Sequence, residues 1–136
     1  MANVILSGRI PPQSNNGGGS HMKLLLLVDD NSEMRRLLKS MIEGIADEIH
    51  EAGNGNEAVA LYRAKRPDLV VMDVFMNPTD GLTAAREIKS FDSTARIVFV
   101  SNQTDNRTRQ ATYEAGGEAF FGKDNLMSLV EYLEKI

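Results

Sequence analysis

From residue 22 onward the chain repeats one pattern five times: a short apolar run, a loop, then a segment whose apolar positions recur every three or four residues. The short runs read as strands, and the three-to-four spacing reads as a helix with one buried face. Their alternation predicts a parallel sheet covered by helices. The first run, 23–28, is followed by Met34, Leu37, Leu38, Met41, Ile42 and Ile45 along one helix face, which Asn31 or Ser32 would cap. The second, 47–52, alternates polar and apolar positions about Ile49, as an edge strand with one wetter face does. Asn54-Gly55 then turns the chain into a helix over 56–65 that presents Ala58, Leu61 and Tyr62, and Pro67 ends it. The runs 69–72 and 97–100 are apolar throughout, which predicts central strands buried on both faces. Leu82, Ala85 and Ile88 mark the helix between them. Thr104 or Asp105 opens a fourth helix of weak periodicity, and Gly116 is placed to stop it. Residues 118–122 form the fifth strand, and Asp124 caps a last helix carrying Leu126, Leu129, Val130 and Leu133.

Residues 1–21 do not share this pattern. They hold Pro11-Pro12, three consecutive glycines and a single charged residue, Arg9, the composition of a flexible linker. Gly19-Ser20-His21-Met22 resembles a protease-site and cloning scar, so 1–21 reads as a vector-derived leader and 22–136 as the domain. The apolar Val4-Ile5-Leu6 supports a second reading, a peptide tethered through the glycines to its binding site.

Composition narrows the function classes. Without cysteine, a disulfide scaffold, a thiolate zinc site and a cysteine nucleophile are excluded, and a cytoplasmic location is expected. The longest apolar run, 24–28, has five residues against the ~20 that cross a bilayer, so no membrane insertion is expected. The formal charge is −4 and no stretch gathers lysine and arginine into a phosphate-tracking stripe, which disfavours direct nucleic-acid binding. A cation is the better-matched ligand.

In parallel β/α units the strand-to-helix loops gather at one edge of the sheet, where ligands bind. Four of the five strands deliver a polar residue there: Asp29-Asp30, Asp73, Ser101 and Lys123. Three carboxylates brought together repel one another and raise one another's pKa unless a hard divalent cation lies between them. Mg²⁺, which takes oxygen ligands and works with one or two carboxylates plus a phosphate, suits this set. A lysine ammonium and a serine hydroxyl suit phosphoryl oxygens, so the chemistry implied is phosphoryl transfer with Asp73 as nucleophile.

These residues resemble the receiver domain of two-component response regulators, especially stand-alone chemotaxis-type receivers. The resemblance spans 23–136. It rests on Leu27-Val28-Asp29-Asp30-Asn31-Ser32-Glu33-Met34-Arg35-Arg36, on Met72-Asp73 followed by Asp80-Gly81, on Ser101 and on Lys123. It implies a doubly wound, flavodoxin-like five-stranded sheet of order 2-1-3-4-5 with five helices, and Asp73 as phosphoacceptor. Asp30, Asp73 and the backbone carbonyl of Phe75 would bind Mg²⁺ directly, with Asp29 helping through water. Lys123 and Ser101 would contact the phosphoryl group. Phe120 would occupy the switch-aromatic position, turning inward as Ser101 shifts and so changing the face of strands and helices four and five. The implied partners are a histidine kinase or phosphotransfer protein and a downstream protein on that face.

Three departures from the family pattern stand out. Asn77, followed by Pro78, replaces a proline four residues after the phosphoacceptor, and Asp124 replaces a proline after the lysine. Phe75 and Gln103 line the approach of a hydrolytic water, where a bulky Phe75 would slow phosphate loss. Two other readings compete: a phosphorylation-independent docking module of the same fold, and an aspartate-nucleophile phosphohydrolase. The second is disfavoured because such enzymes place an Asp-x-Asp nucleophile after strand one, and Asp73-Val74-Phe75 lacks that pattern. Turnover of an external substrate is therefore not expected. Alone, Asp29-Asp30 would read as a helix-initiating pair, Ser101 as a cap and Phe120 as packing. His50 is placed on the outer face of strand two, and Arg107 and Arg109 on a solvated helix face.

Overall fold

A computed structural model describes residues 22–136; the leader and tethered-peptide readings of 1–21 lie outside the described residues. Five strands and five helices alternate: β1 (Met22–Val28), α1 (Ser32–Ile42), β2 (Ala46–Ala52), α2 (Gly55–Lys65), β3 (Leu69–Asp73), α3 (Gly81–Phe91), β4 (Ile97–Ser101), α4 (Asn106–Glu114), β5 (Ala119–Gly122) and α5 (Leu126–Glu134). The strands form one parallel sheet of order β2-β1-β3-β4-β5. The expected doubly wound architecture is the observed one.

Strand periodicity divides the core in two. Leu26 and Val28 of β1, Val70 and Met72 of β3, and Ile97 and Phe99 of β4 point to one face, against Ala58, Val59 and Tyr62 of α2 and Ala84, Ala85 and Ile88 of α3. The alternate residues Leu25, Leu27, Leu69, Val71, Val98 and Val100 point to the other, against Leu38 and Ile42 of α1 and Leu129, Val130 and Leu133 of α5. Each fully buried leucine among these contributes roughly 1.5–3 kcal/mol by leaving water. β3 and β4 are buried at every position because helices cover both of their faces. β2, at the edge, buries only its end residues fully.

Several local expectations are corrected. Asn54 is the N-cap of α2, its side chain accepting the Glu57 N–H, so Gly55 already belongs to the helix. Asp124 does not cap α5; Asn125 stands at the cap, with no side-chain hydrogen bond to the helix. Leu37 falls on the predicted apolar stripe of α1 but is 47% exposed, because the stripe facing the sheet is centred on Leu38 and Ile42. Ile45 is buried after α1 has ended, in the turn into β2. Asn31 and Asp105 cap α1 and α4 as expected, and Gly116, at φ 102°, follows α4 in the left-handed conformation that glycine tolerates. Among the described residues no helix is long and apolar enough to cross a membrane.

Candidate functional site

β1 and β3 are neighbours where the strand order reverses, the point at which open α/β sheets form a crevice. Val28 lies in register with Met72, so Asp29 and Asp73, one residue further along each strand, emerge side by side. Asp29 and Asp73 are buried and Asp30 is exposed. One carboxylate oxygen from each of the three lies within 4.8 Å of the others. Lys123, in the turn after β5, reaches into this group with its Nζ 2.9 Å from Asp29 Oδ2 and 3.3 Å from Asp73 Oδ1.

The electrostatics follow from two buried carboxylates sharing one ammonium, with the exposed carboxylate of Asp30 beside them. Burial, then the charge of Asp29, pushes the Asp73 carboxyl up to about 6, against the opposing pull of Lys123. Burial pulls Lys123 down, but its close pairing with the Asp29 carboxylate and the charge of Asp73 outweigh that and hold it above its ordinary value, firmly protonated. Asp29 Oδ1 accepts the Asn31 N–H at 2.9 Å. Its Oδ2 is buried and lies close to Lys123, but without the alignment of a hydrogen bond. Three carboxylates each offering an oxygen within 4.8 Å of the others, two of them buried, make a hard-oxygen donor set, so the residues present fit Mg²⁺.

Ser101 ends β4 and is fully buried. Its Oγ accepts the Gln103 N–H at 2.9 Å, and its carbonyl accepts the Lys123 N–H at 2.8 Å, which ties the ends of β4 and β5 together. Gln103 itself is exposed, and Phe75 is 48% exposed just past β3. Phe120 is already turned in, 6% exposed, with the Arg109 guanidinium 4.9 Å from its ring centroid. Arg107 and Arg109 are both exposed, and His50 on β2 pairs with Glu48 at 3.1 Å, apart from the acidic group.

The loop from β3 to α3 closes through the Gly81 N–H, which donates to the Val74 carbonyl at 2.9 Å. It contains the cis Asn77–Pro78 peptide, and Asp80 caps α3 by accepting the Thr83 N–H. Two residues that shape the site carry no signal in hydrophobic periodicity. Gly55 donates its N–H to the Thr79 carbonyl at 3.0 Å, seating that loop on the start of α2. A Cβ there would lie 2.6 Å from the same oxygen, so the Asn-Gly pair makes room as well as a helix start. Arg35 on α1 donates from Nη1 to the backbone carbonyl of Asp29 at 2.6 Å.

The chain matches the family model of the response regulator receiver domain over residues 25–134. It is 39% identical over 90 residues to the chemotaxis protein CheY of Halobacterium salinarum, covering 66% of this chain and 75% of that protein. It is 36% identical over 105 residues to the CheY of Thermotoga maritima, covering 76% and 88%. Among solved structures, a LuxR-family two-component response regulator from Aurantimonas superposes with a TM-score of 0.75 at 29% identity, over 85% of this chain and 86% of that one. The CheY of Borrelia burgdorferi, in a complex with CheX, BeF₃ and Mg²⁺, superposes with a TM-score of 0.71 at 25% identity, over 79% and 88%.

Proposed function

The chain belongs to the response regulator receiver family, and on that premise we propose that it is a phosphoacceptor switch in which Asp73 takes a phosphoryl group from a histidine kinase, a phosphotransfer protein or a small phosphodonor. The observation that carries the reading is the buried Asp73 carboxylate set between two further aspartates and the Lys123 ammonium at the sheet's crevice. A carboxylate oxygen of Asp73 forms the new bond to phosphorus while the donor's bond to phosphorus breaks and the leaving group departs with that electron pair. Asp30, Asp73 and the Phe75 carbonyl would hold Mg²⁺, with Asp29 helping through water, and the ion would supply positive charge to the phosphoryl oxygens. Lys123 contributes the charge the protein itself owns at that point. Ser101 Oγ accepts from Gln103, which fixes the oxygen and leaves its own hydrogen free to donate to a phosphoryl oxygen.

Movement of Ser101 toward the phosphoryl group carries the signal to the face built from β4, α4, β5 and α5, where Phe120 sits beneath Arg109. That face receives the downstream protein. Phe75 stands exposed beside Asp73 and restricts the approach of water; Phe75→Asn is expected to shorten the lifetime of the phosphoprotein several-fold, read as decay of the adduct after the donor is removed, and an unchanged lifetime contradicts that role. The reading as a whole is tested by intact mass after incubation with acetyl phosphate, with and without Mg²⁺. One phosphoryl adduct that needs Mg²⁺ supports it. Folded protein with no adduct favours the phosphorylation-independent docking module.

A further inference from the structure

Asp30 is the weakly held member of the acidic group. It is exposed, and its carboxylate makes no hydrogen bond or ion pair with another described residue, whereas Asp29 is buried and bonded to Asn31 and Asp73 faces Lys123. Nothing attached to its side chain aims it, so its direction is set by its backbone. That backbone is held on both sides: Asp29 Oδ1 accepts the N–H of the peptide that follows it, at Asn31, and a second side chain grips the peptide that precedes it. The peptide unit joining Asp29 to Asp30 is planar, so fixing the Asp29 carbonyl also fixes the line along which the Asp30 Cα leaves. Arg35 holds that carbonyl from Nη1 at 2.6 Å. The same guanidinium donates from Nε to Glu51 at 3.0 Å, near the end of β2, so it is anchored on both sides. Lys39 holds the other Glu51 oxygen at 3.3 Å. Burial raises the Glu51 carboxyl, but the hydrogen bonds from Arg35 and Lys39 more than reverse this and keep it ionised.

We infer that Arg35 is a positioning residue for the divalent cation: by clamping the Asp29–Asp30 peptide between α1 and β2 it pre-aims Asp30 into the acidic group. The inference rests on the proposal that this group holds Mg²⁺. It runs against the simplest electrostatic expectation, because a guanidinium beside the site repels a cation, and the two effects differ in sign. If Arg35 acts only through its charge, removing it tightens binding. If it acts by positioning, removing it weakens binding, and outer partners that orient metal ligands are typically worth about 10–100-fold in affinity.

The test is Mg²⁺ affinity by titration calorimetry on the full chain, with thermal unfolding in the absence of metal measured alongside. The native protein is compared with Arg35→Met, which keeps the aliphatic stem and loses the fork, and with Arg35→Lys, which keeps the charge but offers one ammonium to partners on two sides. Positioning predicts Mg²⁺ binding weakened about tenfold or more in Arg35→Met and to a smaller degree in Arg35→Lys, in protein that remains folded. Unchanged or tighter binding by either folded variant, whatever happens to its melting temperature, overturns the inference and leaves the cation reading standing. Failure of the native protein to bind Mg²⁺ overturns both.

Discussion

Asp73→Asn is expected to raise the melting temperature of the metal-free protein while abolishing its phosphoryl adduct. Asp73 is buried, and its carboxyl is pushed from 3.8 to about 6 by burial and by the neighbouring charge of Asp29. A raised folded-state value means that the group's contribution to stability is present in full below its ordinary pKa and lost as pH rises through about 6. At neutral pH the native protein therefore carries the whole cost of keeping this carboxylate ionised. With each pKa unit worth about 1.4 kcal/mol, the neutral amide recovers about 1–3 kcal/mol, a shift of several degrees. Lys123 keeps Asp29 as a partner in the variant. Saturating Mg²⁺ narrows or reverses the gap, because a cation bound only by the folded state stabilises the native protein by mass action. Thermal unfolding of both proteins at pH 7 and pH 5, with and without Mg²⁺, checks the sign. A variant less stable than the native protein in the absence of metal contradicts this account of the site's electrostatics.

Gly81→Ala is expected to be the most damaging single-methyl change at the site. A Cβ at 81 would sit 2.0 Å from the Asp73 carbonyl oxygen and 3.0 Å from Met72 Cγ. Neither neighbour is the free end of a side chain on the surface: one is the backbone of β3 and the other is packed in the core. The start of α3 or the end of β3 has to move, and the Gly81 to Val74 hydrogen bond that closes the loop is strained with it. A loss of about 3 kcal/mol or more follows from overpacking at a backbone contact. Since the displaced strand end carries Asp73, phosphorylation slows along with the fall in the urea midpoint. A variant of native stability and native phosphorylation rate would show that the close approach of α3 to β3 is dispensable.

Much of this fold was legible because its central strands are short and apolar and alternate with helices, several of which carry a clear apolar face. The runs 69–72 and 97–100 needed no tertiary information to be placed at the centre, since only strands covered on both faces are apolar at every position. The acidic edge was legible for a related reason: a carboxylate directly after a buried strand has nowhere to go but the loop edge. Lys123 followed the same logic after Phe120-Phe121. The sequence was less informative where a residue works through backbone. Asn54-Gly55 looks like any turn, and only the structure shows the Thr79 carbonyl seated against it. Arg35 is one of several charged residues on a helix, and its partner at the site is a carbonyl oxygen, which has no letter of its own. Leu37 belongs to the apolar stripe in the sequence, yet packing at Leu38 and Ile42 decides which residues of that stripe go in and leaves Leu37 exposed. Asp124 looks like a cap in the sequence, but a cap's identity depends on where the first helical turn begins, and that turn starts one residue later, after Asn125.

The central claim, that Asp73 is the phosphoacceptor, is tested most directly by locating the phosphoryl group. Borohydride reduces an aspartyl phosphate to homoserine with release of phosphate, leaving a stable mark readable by peptide mass. After incubation with acetyl phosphate and Mg²⁺, the account predicts one homoserine, at position 73, absent when either reagent is omitted. The mark at Asp29 or Asp30, or no mark in folded protein, would contradict it.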